Sequence, residues 1–172
     1  MTRALVLATR AMDTTRPIID ASGGSHREPS TDIWDVHDYE QDPATFAAHY
    51  ATMSEGKIYG GLPDDGKVRS VPYGGQPYMV SEFGGIWWNP DASDDDSWGY
   101  GQRPENIEAF YARFAGLMDA LLDNPAIFGY CYTQLTDIYQ EQNGIYTFDR
   151  QPKFDIDRIR VFQERQAAIE VE

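Results

Sequence analysis

The chain has 172 residues, which suits one domain with a sizeable core. Its formal net charge of −14 repels phosphate backbones and anionic lipid surfaces, which argues against nucleic acid and membrane partners. At 13% aromatic it is too rich in rings for a disordered segment, and its one cysteine, Cys131, excludes an intrachain disulfide.

Residues 3–13 read as a helix with Leu5, Ala8 and Met12 on one face. The apolar part of this segment is too short for a signal-peptide core, and Arg10 interrupts it. No run of about 18 apolar residues spans a membrane. Localisation is left open on this basis, with a lean to the cytoplasm. The segment resembles the end of a helix whose start is missing, so the chain is expected to begin inside a fold. Arg16-Pro17 breaks the helix.

Ile18–Ala21 is expected as a first short strand, followed by the loop Ser22-Gly23-Gly24-Ser25. A second strand, Ile33–Val36, runs into His37-Asp38-Tyr39-Glu40. Asp42-Pro43 starts a helix, with Asp as N-cap and Pro at its first position, and Phe46, Tyr50 and Met53 form its apolar stripe. Pro63-Asp64-Asp65-Gly66 is a turn signature. A third strand, Tyr78–Ser81, ends at Glu82, and Gly84-Gly85 then turns the chain.

The long loop 84–103 carries Trp87, Trp88, Trp98 and Tyr100 beside several aspartates. A loop of this length is functional or disordered, and its tryptophans favour order. The run Asp94-Asp95-Asp96 lacks the spacing and glycine of a calcium loop and reads as solvated. No metal or cofactor is expected.

Pro104 opens the clearest helix, with Ile107, Phe110, Tyr111, Phe114, Leu117, Met118, Leu121 and Leu122 at helical spacing. A fourth strand, 126–132, holds Cys131 as a buried small hydrophobe. The polar loop 133–143, an extended piece at 145–148, and a last helix capped by Asp155 complete the chain.

Short buried strands separated by helices imply a parallel α/β sheet with right-handed crossovers. Four such strands fit either a small open sheet or half of an eight-stranded barrel. The polar and aromatic residues come after the strands, where both architectures carry their sites. Neither a G-x-G-x-x-G nor a phosphate-loop motif occurs. The strand ends carry carboxylates, a phenol, amides and indoles, a set suited to gripping a sugar. Retaining glycoside hydrolysis needs two carboxyl groups about 5–5.5 Å apart, one as nucleophile and one as acid/base. A tyrosine hydroxyl beside the nucleophile keeps it ionised.

Several motifs occur in one order: Asp-Thr-Thr-Arg-Pro-Ile-Ile-Asp-Ala-Ser at 13–22, Ser-Glu-Phe-Gly-Gly at 81–85, and Tyr-Thr-Gln-Leu-Thr-Asp at 132–137. They continue with Gln-Glu-Gln-Asn-Gly-Ile-Tyr at 140–146 and Asp-Arg-Gln-Pro-Lys-Phe-Asp at 149–155. Together they resemble glycoside hydrolase family 2, which includes β-galactosidases, β-glucuronidases and β-mannosidases. The resemblance covers nearly the whole chain. It implies that residues 1–172 are a partial catalytic domain, the C-terminal half of a (β/α)8 TIM barrel, strands five to eight.

By this resemblance Glu82 matches the family's nucleophile and Tyr39 the tyrosine close to it. Gln134 and Asp137 fall in the loop that shapes the sugar pocket, and His37 sits where the family often has a sugar-contacting polar residue. Trp87 and Trp88 match less closely, as sugar platforms. The family's acid/base is the Glu of an Asn-Glu pair, and this sequence contains no such pair. A fragment of the enzyme is therefore expected, inactive by itself. Where β-glucuronidases carry Asn-x-Lys, this chain has Glu141-Gln142-Asn143, which points to a neutral sugar. Thr133 stands where the family has a tryptophan, so the sugar's identity stays open. The rival reading is a non-catalytic carbohydrate-binding protein on a decayed barrel.

Overall fold

The computed structural model describes residues 1–62, 65, 67–92 and 96–171. Most of the turn signature at 63–66 and of the aspartate run at 94–96 therefore lies outside the described residues. In chain order the elements are α1 (Thr2–Met12), β1 (Trp34–Asp38), α2 (Pro43–Tyr50), β2 (Tyr78–Gly84), α3 (Ile107–Leu122), β3 (Ile127–Thr133) and α4 (Ile156–Gln163). Short 3-10 turns lie at Met53–Glu55 and Ala168–Glu170.

The sheet has three strands in the order β1-β2-β3, and both pairings are parallel. The strand expected at Ile18–Ala21 does not form. Its backbone is held by side chains instead: the Ile18 amide donates to Asp32 Oδ2 at 2.8 Å and the Asp20 amide to Thr31 Oγ1 at 3.2 Å. In the order expected from the sequence this strand would pair with the free edge of β1. The buried ring of His26 lies against that edge, with Nε2 3.0 Å from the Asp35 carbonyl oxygen and 3.1 Å from its amide nitrogen.

The helices form for local reasons. Asp42 caps α2 by accepting from the Thr45 amide, with Pro43 at the first position. The start of α3 is later than Pro104 suggests, because Asn106 accepts from the Ala109 amide and acts as the cap. Asp155 caps α4 through the amides of Asp157 and Arg158. Among the described residues no helix is long and apolar enough to cross a membrane.

The core lies between one face of the sheet and α2–α3. Val36, Val80 and Phe83 from the sheet meet Phe46, Tyr50, Phe110, Phe114, Leu117 and Met118 from the helices. Each large apolar side chain so buried stabilises the fold by about 1.5–3 kcal/mol. On α1, by contrast, Val6 is buried while Leu5, Leu7 and Met12 are exposed, so the face expected from its spacing is uncovered. Cys131 is exposed, against expectation: it lies on β3, an edge strand, on a face that no helix covers at this position. The piece at 145–148 is reduced to single bridges from Tyr146 to Thr136 and Pro152.

Candidate active site

Strict alternation along β2 would put Glu82 on the same face as Tyr78 and Val80, inside the helix-packed core. The ladder to β3 is irregular between Val80 and Phe83, and the ladder to β1 is irregular between Val36 and His37. These irregularities put Phe83 into the core against Phe46. Glu82 keeps 40% of its side chain exposed, and its register partner on β1 is His37.

Three strand ends thereby converge. Tyr39, just beyond β1, donates its hydroxyl to Glu82 Oε2. The same hydroxyl lies 3.1 Å from Thr133 Oγ1 at the end of β3. His37 Nδ1 is 3.2 Å from Glu82 Oε2. Every hydrogen bond and ion pair of Glu82 among the described residues thus falls on Oε2. The Tyr39 ring is stacked on Tyr100, with centroids 3.4 Å apart and planes 4° from parallel. Burial first, and the bond to Glu82 second, push the Tyr39 phenol far above its ordinary value. It therefore stays a proton donor at all working pH.

The glycines after β2 make room for this geometry. Gly84 and Gly85 have φ of 75° and 58°. A Cβ on Gly84 would meet the Tyr132 ring and one on Gly85 the Tyr100 ring.

The other expected residues divide. Gln134 donates from Nε2 to Asn143 Oδ1 at 2.8 Å. Asp137 is buried and accepts from the Gly144 amide at 2.8 Å and from Lys153 Nζ at 2.7 Å. Burial lowers the Lys153 ammonium below its ordinary value, even though Asp137 pulls the other way. Both residues order the loop after β3, and their hydrogen bonds do not extend to Glu82. Trp87 donates from Nε1 to Ser97 Oγ at 3.0 Å and carries the Arg103 guanidinium 5.0 Å above its ring. Trp88 is 9% exposed and packs on Phe110 and Phe154, so little of its ring is free as a sugar platform.

Two contributors escape notice in the sequence alone, Asp35 and Ser81; Ser22 is visible there only as a polar residue after the first expected strand, and Thr133 only as the replacement of a tryptophan. Ser22 Oγ is 2.9 Å from His37 Nε2 and 3.2 Å from Asp35 Oδ2. Asp35 Oδ2 also accepts from Ser81 Oγ and from the Gly23 amide at 3.0 Å. The alternation in Trp34-Asp35-Val36 marks Asp35 as facing away from the helices, and that is the signal that could have found it. A cleft of about 510 Å³ opens beside the group, lined by His37, Tyr39, Glu40, His49 and Tyr59 among others. A larger one, about 680 Å³ between α2 and α3, contains none of these acidic or aromatic site residues. Among the described residues no group of three or more His, Cys, Asp or Glu is arranged to hold a metal ion.

No protein-family model matches the sequence, and no curated protein does. Solved structures do match. The chain superposes on a β-glucuronidase of Ruminococcus gnavus with TM-score 0.58 and 14% identity, covering 95% of this chain and 28% of that one. It superposes on the β-D-glucuronidase of Dictyoglomus thermophilum with TM-score 0.55 and 20% identity, over 96% and 29%. A β-glucuronidase of Bacteroides uniformis gives TM-score 0.55 and 19% identity, over 88% and 18%. The chain thus spans less than a third of the length of these structures. At such identities the likeness is one of fold: this mixed α/β chain, with its small parallel sheet, shares the fold of a stretch of these three structures.

Proposed function

We propose that this chain is part of the catalytic domain of a retaining exo-β-glycosidase in which Glu82 is the nucleophile. The observation that carries the reading is the bonding of Tyr39 Oη to Glu82 Oε2 across neighbouring parallel strand ends. A carboxylate that accepts from a phenol and faces an imidazole through the same oxygen is held in one orientation, with its other oxygen aimed. The likeness in fold to β-glucuronidases supports the same reaction class.

In this reading Glu82 attacks the anomeric carbon and forms a glycosyl-enzyme, displacing the aglycone oxygen. That oxygen needs a proton, and a water must later be deprotonated to release the sugar. The sequence has no Asn-Glu pair to supply the acid/base. We assign that role to a segment outside these 172 residues and regard residues 1–172 as a partial (β/α)8 domain. The isolated chain then turns over ordinary glycosides very slowly.

The sugar is read as neutral and terminal, as in β-galactosidases. Glu141, in the loop after β3, stands hydrogen-bonded to Asn143 Nδ2 at 3.2 Å. A carboxylate there repels a uronate rather than binding it.

The test uses a 2-deoxy-2-fluoro-β-galactosyl reagent with a dinitrophenolate leaving group. Such a leaving group departs without protonation, so the missing acid is not needed. Digestion and mass spectrometry are expected to find the sugar on Glu82. A label on another residue, or none at saturating reagent, refutes the assignment. A rival non-catalytic sugar-binding protein would bind sugar with Glu82→Gln as well as before, and would take no label.

A further inference from the structure

Behind Glu82 runs a line of polar groups that the displacement at the sugar does not use. Asp35 is completely buried, and its Oδ1, 3.5 Å from His26 Nε2, has no hydrogen-bond partner among the described residues. Its Oδ2 accepts from Ser81 Oγ and from the Gly23 amide, and Ser22 Oγ lies 3.2 Å from it. Ser22 Oγ in turn faces His37 Nε2 at 2.9 Å, and His37 Nδ1 faces Glu82 Oε2 at 3.2 Å. Gly23 lies against the imidazole: a Cβ there would come within 3.1 Å of the ring. The charged and titratable groups around His37 are therefore Glu82 from β2, Tyr39 from the end of its own strand, and Asp35 through Ser22.

Proton counting decides how this line works. Ser22 has one hydroxyl proton and two acceptors in reach. Its distance to His37 Nε2 is the shorter, and Asp35 Oδ2 already has two other donors. A neutral His37 whose Nε2 accepts from Ser22 must carry its proton on Nδ1. That proton points at Glu82 Oε2. The opposite tautomer would set a bare Nδ1 against a carboxylate oxygen, two acceptors with no proton between them. If the ring takes up a second proton, Nε2–H donates to Ser22, and the hydroxyl turns to Asp35.

We infer that Ser22 and Asp35 are positioning residues that hold His37 with its Nδ1–H on Glu82 Oε2, leaving Oε1 as the attacking oxygen. The inference rests on the glycosidase reading only for the role of Oε1. With Tyr39 and His37 both on Oε2, that oxygen is tied, and the carboxylate presents its other oxygen in a fixed direction.

The experiment is a long-range ¹H–¹⁵N spectrum of the chain with ¹⁵N-labelled histidines, taken at a pH where the His37 ring is neutral. The expected pattern has Nδ1 protonated and Nε2 bare, the reverse of the tautomer usual in free histidine. Ser22→Ala is expected to shift both His37 nitrogens toward the Nε2–H form, because Asp35 then faces Nε2 without the intervening hydroxyl. Ser22→Thr, which keeps the hydroxyl, is expected to retain the original pattern. Ser22 is exposed, and the His26 and His49 resonances report whether the variant is folded. A dominant Nε2–H form in the unmodified chain overturns the inference. So do His37 resonances that Ser22→Ala leaves unmoved. Failure to label Glu82 refutes the reaction separately, whatever the tautomer proves to be.

Discussion

Tyr39 and Glu82 meet across the β1–β2 pair, and the tyrosine ring that makes the contact is clamped flat against Tyr100. The phenol reaches Glu82 from one side while Thr133 touches it from β3, so one hydroxyl joins the ends of all three strands. Tyr39→Phe keeps the stacked ring and removes only the donor. If Glu82 is the nucleophile, this variant takes up the fluoroglycosyl label about 10²-fold more slowly, the usual effect of losing one preorganised donor. Time-resolved mass spectrometry of labelling, with circular dichroism to show the fold intact, makes the comparison. An unchanged rate would mean the phenol does not act on the carboxylate.

Gly85 gives this clamp its room. Its φ of 58° suits glycine, and an added Cβ would strike the Tyr100 ring. Gly85→Ala is expected to cost about 1–3 kcal/mol of stability in urea unfolding, from backbone strain and the displaced ring. It is also expected to slow Glu82 labelling, because Tyr39 loses its stacking partner. Gly56, where an added Cβ meets nothing within 4 Å, carries a positive φ as well and is the control for strain without displacement.

The buried pair His26–Asp20 closes the free edge of β1. His26 Nδ1 lies 2.7 Å from Asp20 Oδ1, and both side chains are wholly inaccessible. Burial alone would raise the Asp20 carboxyl. The bond to His26 and the amides of Arg27 and Glu28 outweigh it and hold the carboxyl below its ordinary value. The unfolded chain thus binds this proton more readily than the folded one. The stability from Asp20 is fully present above about pH 4 and is lost as pH falls through the lower, folded value. Chemical denaturation from pH 7 down to pH 2 is expected to show this loss, and Asp20→Asn to flatten it. The variant should also be about 1–3 kcal/mol less stable at neutral pH, as for the loss of hydrogen bonds to a buried charged acceptor.

Lys153 and Asp137 form the ion pair that fixes the loop after β3, each with 8% of its side chain accessible. Lys153→Met leaves Asp137 buried with, among the described residues, only the Gly144 amide donating to its carboxylate, and is expected to cost about 3–5 kcal/mol. Combining it with Asp137→Asn should recover a good part of that cost, because no uncompensated charge is then buried. A double-mutant cycle in urea reads the coupling directly, and additive losses would deny that the two residues act as a pair.

Much of this molecule is legible in its residues because the relevant physics is local. The caps at Asp42 and Asp155, the apolar stripe of α3 and the turn after Glu82 depend on neighbours within a few positions. The placement of Glu82, Tyr39 and His37 at strand ends is local in the same sense. The features that escaped depend on partners far apart in the chain. Ile18–Ala21 has the composition of a strand, but the edge it would pair with is taken by the His26 ring, and no periodicity announces that. Trp88 reads as a loop platform until Phe110 and Phe154 close over it. The tertiary structure also decided which way Glu82 points. Alternation along β2 assigns it to the core, and only the two irregular ladders turn it out toward His37 and Tyr39. Residue types specify what chemistry a chain can carry, whereas the register between strands, set by long-range packing, decides which of those groups meet.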